Sequence, residues 1–186
     1  MEATRALSVA EQLGDPPDWG QARPVVHVAA AIMRREDAVV LVLQGPPEGE
    51  RFWALPGGIV DEGELVPEAL VREVREETGL EIGRPGRLAF VRQVDERRPV
   101  GLSGGSGLGY LATIWVFEVD DWQGELAPRD PDGVVSDARV VPIDEAIPLL
   151  RRTHWLEIVA DYLEGRVGAG TLRFERWHDG GVDVVL

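Results

Sequence analysis

Residues 66 to 78, VPEALVREVREET, commit this part of the chain to one helix with two incompatible faces. At about 100° per residue, Val66, Leu70 and Val74 recur at i, i+4 and i+8 and form an apolar stripe that needs a sheet to cover it. Glu73 lies roughly 60° from Glu76 and roughly 40° from Glu77, so the three glutamates share an arc of about 100° that borders this stripe. Pro67 suits the first helical turn and Gly79 the position just past the end. Like charges three and four residues apart repel, and the helix dipole disfavours anions in the last turns. Only Arg72 and Arg75 stand near enough to offset them. Most charge runs are solvated faces. This one is placed late in its helix, has few basic neighbours and follows the glycine turn LPGG. Those features favour a carboxylate cluster that offers oxygen ligands to a hard divalent cation such as Mg²⁺.

The rest of the chain supplies the sheet. VVHVAAAIMRR (25 to 35) reads as a buried strand and AVVLVLQG (from 38) as its hairpin partner across the turn ED. PPEGERFWALPGG reads as a loop. RLAFVRQV (87 to 94) is a strand candidate, and YLATIWVFEV (110 to 119) is the strongest strand of all. Between them lies the polar, glycine-rich loop DERRPVGLSGGSGLG, expected to be mobile. DDWQGELAPRDPDGVVSD reads as a long acidic loop and ARVVPI as a short strand. DEAIPLLRR begins a helix with Asp144 as its N-cap. HWLEIVADYLEG has helical spacing through Leu156, Val159 and Leu163. The tail TLRFERWHDGGVDVVL reads as a closing hairpin turned at DGG. His27 is expected as a core or rim histidine, and His154 and His178 as surface residues. Residues 1 to 24 look peripheral: a short amphipathic helix over ATRALSVAEQLG, broken by GDPPDWGQARP.

With 186 residues the prior is one domain, divided into an N-terminal extension (1–24) and a main domain (25–186). A net charge of −14 argues against a protein that grips nucleic acid or an anionic membrane through Lys and Arg clusters. The sequence contains no cysteine, which excludes disulfides and a thiolate nucleophile and fits a reducing cytoplasm. No segment approaches the ~20 apolar residues of a membrane helix, and the N-terminus has no secretory signal pattern.

From Gly58 the sequence runs through five residues to Glu64, then seven more to Arg72-Glu73-Val74-Arg75-Glu76-Glu77-Thr78-Gly79-Leu80. This resembles a complete Nudix box, and the flanking FWALPGG and DARVVPIDEAI resemble the same family over about residues 25 to 163. The resemblance implies an α+β fold, an α/β/α sandwich around a mixed β-sheet. It implies a metal-dependent pyrophosphohydrolase that cleaves a nucleoside diphosphate linked to another moiety with Mg²⁺ or Mn²⁺. By the match, Glu73, Glu76, Glu77 and the backbone carbonyl of Gly57 would be metal ligands, with Glu64 an outer member of the site. Arg72 would pair with a box glutamate and orient it. The general base would be Glu73 or Glu76, or an acidic residue of PRDPDG, Asp130 or Asp132, although Asp, Pro and Gly also make ordinary solvated turns. Phe52 and Trp53 could stack on a base or pack under their loop. Arg97 and Arg98 could reach a phosphate or stand solvated beside Asp95 and Glu96.

The substrate stays open among ADP-ribose, a nucleotide sugar and a nucleoside triphosphate. The alternative class is a non-catalytic Nudix-fold nucleotide sensor, which the intact box disfavours. A purely structural domain is the third reading. The N-terminal segment would be a tail, a lid or a homodimer contact.

Overall fold

The computed structural model describes residues 24–46, 48–97 and 109–185. The expected N-terminal helix, Arg98 and most of the glycine-rich loop lie outside them. Strands β1 (Val25–Arg35) and β2 (Ala38–Gln44) form the expected hairpin, paired at Arg34↔Val39 and Arg35↔Ala38. After β3 (Phe52–Ala54) and β4 (Gly57–Ile59) comes helix α1 (Val66–Thr78), then β5 (Glu81–Ile82), β6 (Leu88–Glu96), β7 (Tyr110–Val119), β8 (Trp122–Gln123) and β9 (Val135–Pro142). Helix α2 (Ile143–Leu150), a 3-10 turn (His154–Leu156), α3 (Glu157–Leu163) and the hairpin β10 (Thr171–His178) and β11 (Gly181–Val184) complete the chain.

The main sheet is mixed, in the order β11-β10-β6-β7-β1-β2-β3, with β4 paired to β1 and β9 to β2. β1 is parallel to β7, and β10 is parallel to β6. Both faces are covered, so β1 reads as a continuous apolar run rather than an alternating one. Its alternate residues go to different layers: Ala30 and Ile32 to the core under α2 and α3, and Ala29, Ala31 and Met33 to the core under α1. The stripe expected on α1 is the one that packs. Leu70 and Val74 are fully buried with Ala69, and Val66 packs partly buried beside them. Each such Leu or Val contributes about 1.5–3 kcal/mol by leaving water, which anchors the helix that carries the glutamates. The result is the α/β/α sandwich.

Four local readings differ. FWALPGG holds β3 and β4, because three-residue strands show no periodicity of their own. The DDWQ segment contains β8, paired to β5 through Ile82↔Trp122. The N-cap of α2 is Pro142, not Asp144; the first turn is instead fixed by the Ile143 N–H on the Asp37 carbonyl at 2.8 Å. Of the core and rim positions expected for His27, the core one fails, because the residue is exposed.

Candidate active site

Gly57 and Gly58 leave no room for a Cβ, the first against β1 and the second against Glu73 of α1. Gly57 sits at φ +149° against β1, where an added Cβ would lie 2.2 Å from the Ala29 carbonyl oxygen. Its N–H donates to Glu77 Oε2 at 2.7 Å. A Cβ on Gly58 would meet Glu73 Oε1 at 2.4 Å. The LPGG turn is therefore the wall against which the carboxylates stand.

Arg72 answers the repulsion among them. Its Nε and Nη2 donate to Glu64 at 2.9 and 2.8 Å, Nη1 donates to Glu73 Oε1 at 2.7 Å and reaches Glu76 at 3.5 Å, and Nη2 also donates to the Ile59 carbonyl at 3.0 Å. One guanidinium thus ties the loop, the outer glutamate and the helix face together. The Arg72 hydrogen bond holds Glu64 below the ordinary carboxylate range. Burial pushes Glu73 up despite Arg72, with Glu76 and Asp130 adding to the rise.

Glu77 is 6% exposed. Burial is the main reason its carboxyl is pushed up to about 8; the Gly57 N–H opposes the rise, and Glu73, Asp130 and Glu76 add to it. A carboxyl that holds its proton more tightly when folded makes the folded state the greater proton binder between the ordinary 4.5 and about 8. Stability without metal then falls as pH rises through that window. The melting temperature in EDTA should accordingly be higher at pH 5.5 than at pH 8, and Glu77→Gln should flatten the difference. A slope of the opposite sign, or one unchanged in Glu77→Gln, would remove the assignment.

The acidic loop crosses the end of α1. Ala127 N–H donates to the Thr78 carbonyl at 2.8 Å and Arg129 N–H to the Glu76 carbonyl at 2.7 Å. This brings Asp130 within electrostatic reach of Glu73 and Glu77. Both Asp130 oxygens are engaged by its own turn, accepting the N–H groups of Asp132 (3.0 Å), Val134 (2.7 Å) and Val135 (2.7 Å). Asp132 is exposed on the turn. Among the described residues, no three carboxylate or imidazole groups are already drawn together tightly enough to enclose an ion. Glu73, Glu76 and Glu77 share a face without forming a closed set. Their donor chemistry nevertheless suits a hard cation, since all offer oxygen and Glu77 is a buried carboxyl with no cationic partner among the described residues.

On the other side of Gly57 lies a cavity of about 450 Å³ between β1, β6, β7 and the 3-10 turn, with Phe90, Arg92, Trp155 and Trp177 in its lining. Phe52 and Trp53 are not in that lining. Phe52 packs edge-on against Trp155 at 5.3 Å between ring centroids, and Arg139 lies over Trp53. Arg97 donates to Asp95 at 2.9 Å, and its N–H donates to the Trp177 carbonyl. Sequence reasoning singled out neither Arg92, Glu175 nor Trp177. A charged pair buried between parallel strands leaves no local periodic signal.

The family profile described as the NUDIX domain matches residues 23–162. The chain belongs to the Nudix hydrolase family. Such hydrolases act on nucleotide-type substrates and generally use divalent metal ions. The chain is 31% identical over 154 residues to a Methanocaldococcus jannaschii protein named ADP-ribose pyrophosphatase, covering 81% of this chain and 82% of that one. It is 36% identical over 125 residues to a human protein named 8-oxo-dGDP phosphatase, but that match spans only 36% of the human chain. Among solved structures, a MutT protein from Bacillus halodurans shares the fold with a TM-score of 0.61 at 22% identity, over 87% of this chain and 95% of that one. No helix among the described residues is long and apolar enough to cross a membrane.

Proposed function

We propose that this Nudix hydrolase splits the pyrophosphate of a nucleoside diphosphate linked to a second group, with Mg²⁺ or Mn²⁺ held by Glu73, Glu76, Glu77 and the Gly57 carbonyl. The carrying observation is the position of Gly57. Its N–H donates to Glu77 and it also borders the 450 Å³ cavity, so a nucleotide bound there would present its phosphates to the glutamate face. A bound divalent ion would neutralise phosphate oxygens and make water more acidic. The chain's own groups do the rest. Arg72 donates to Glu73 Oε1 and fixes that side chain. Glu64 steadies Arg72 from outside the cluster and would reach the ion through water. Glu76 is the best candidate to take the proton from the attacking water. It is partly exposed and, among the described residues, its side chain is held by the long Arg72 contact alone, whereas Asp130 is committed to its turn.

The name of the archaeal relative puts ADP-ribose first among substrates to try. The acidic surface favours a small nucleotide over nucleic acid or an anionic membrane as partner. In the same reading residues 25–186 are the domain, residues 1–24 an extension suited to a homodimer contact, and the cytoplasm the place of action, in keeping with a sequence free of cysteine.

The test is a panel of ADP-ribose, nucleotide sugars, nucleoside triphosphates, dinucleoside polyphosphates and coenzyme A, incubated with Mg²⁺ or Mn²⁺ and analysed by mass. One class should split into two phosphate-bearing products or release pyrophosphate. Nucleotide binding without products across the panel would instead support the sensor.

A further inference from the structure

The C-terminal hairpin lies beyond the matched NUDIX region, yet Trp177 of its first strand lines the cavity that Gly57 borders. β10 runs parallel to β6, with Arg173 opposite Arg92 and Trp177 opposite Glu96. Arg92 and Glu175 are buried, at 6% and 5% exposure. Arg92 donates through Nε and Nη2 to Glu175 Oε2 at 3.0 and 2.5 Å, and through Nη1 to the Trp155 carbonyl at 2.8 Å. The Trp177 indole N–H donates to the same Glu175 oxygen at 2.8 Å, and its ring centroid lies 5.6 Å from the guanidinium carbon. Burial works to raise the Glu175 carboxyl, but Arg92, Trp177 and Arg173 outweigh it and hold the group below its ordinary range.

A buried ion pair is often no better for stability than apolar residues of equal volume, so its place beside a cavity calls for another reason. Three of the five Arg92 N–H groups are spent on Glu175 and Trp155. Arg92 itself lines the cavity, whose remaining lining is mainly apolar and aromatic. A rigid donor set among aromatic walls suits a planar ring with acceptor atoms on its edge. Trp155, 40% exposed, and Trp177, 9% exposed, supply flat apolar surface for such a ring.

We propose that the C-terminal hairpin completes the substrate pocket: Glu175 and Trp177 position Arg92 to donate to ring nitrogens or carbonyl oxygens of the nucleobase, between the walls formed by Trp155 and Trp177. The inference rests on reading the neighbouring glutamates as the pyrophosphate site, but it can be tested apart from turnover. The full chain is titrated in EDTA with AMP, GMP, CMP and UMP, following the tryptophan indole N–H resonances by NMR, with Trp177→Phe identifying that signal. The Trp155 and Trp177 indole signals should shift on binding of at least one monophosphate. Arg92→Lys keeps the charge and loses the fork, and should weaken that binding about tenfold or more. Competition by inorganic pyrophosphate in the presence of Mg²⁺, which carries no base, should stay within about twofold. Unshifted indole signals in the wild-type protein, or no monophosphate binding at all, would overturn the inference even if Arg92→Lys fails to fold. So would a folded Arg92→Lys with wild-type affinity. Turnover with unmoved indoles defeats this inference alone. Indole shifts without turnover defeat the hydrolase reading alone.

Discussion

Glu76→Gln is expected to lower turnover by at least about 100-fold, since even partners one step removed from a metal typically cost 10–100-fold. The substitution keeps the shape of the side chain and removes only its charge and basicity. Glu76 is partly exposed, and its contact with Arg72 is long at 3.5 Å, so little of the fold depends on it. Neutralising one of three crowded glutamates also relieves repulsion on α1. The melting temperature without metal should therefore stay within a few degrees of wild type or rise slightly, while the stabilisation contributed by added Mg²⁺ should shrink. Steady-state rates and a thermal melt with and without Mg²⁺ check both halves. A folded Glu76→Gln with undiminished rate would end its assignment as ligand or base.

The two adjacent glycines give the second large effect, and they should differ in kind. In Gly57→Ala the new Cβ falls 2.2 Å from the Ala29 oxygen and 2.6 Å from Ala30 Cα, both main-chain atoms of β1, at a φ of +149°. Nothing there can swing aside. A loss of about 3 kcal/mol or more is expected, roughly 6–12 °C in melting temperature for a chain of this size. In Gly58→Ala the obstacle is the Glu73 carboxylate at 2.4 to 2.7 Å, the far end of a flexible side chain. That chain can rotate, so Gly58→Ala should fold with a melting temperature within a few degrees of wild type and still lose most of its activity, because Glu73 is displaced. A stable Gly57→Ala, or a fully active Gly58→Ala, would contradict the packing described for this turn.

What the sequence made legible follows the length scale of each signal. Helix α1 carries its own stripe, caps and charge pattern within thirteen residues, so both of its faces could be read before folding. The long strands β1 and β7 were equally plain, because eight apolar residues in a stretch of ten or eleven outweigh local ambiguity. The three-residue strands β3 and β4 were not, since they exist only through pairing with β2 and β1. The candidate site divides the same way. Arg72 could be expected to pair with a neighbouring glutamate, one turn away. That it also reaches back to Glu64 and the Ile59 carbonyl depends on how the loop folds over the helix. Asp130 could be named only as one of two loop acids. The backbone bond from Arg129 to Glu76, which brings it to the cluster, is a tertiary event. Arg92 and Glu175 are 83 positions apart and meet only because β10 lies beside β6.

The most direct test of the glutamate face as a pyrophosphate-splitting site is hydrolysis of the best panel substrate in ¹⁸O-labelled water, with Mg²⁺ or with EDTA, weighing both products. The account predicts two phosphate-bearing products, one of which carries a single ¹⁸O, formed with Mg²⁺ and absent in EDTA. Products formed equally in EDTA, or without label from the solvent, would contradict it.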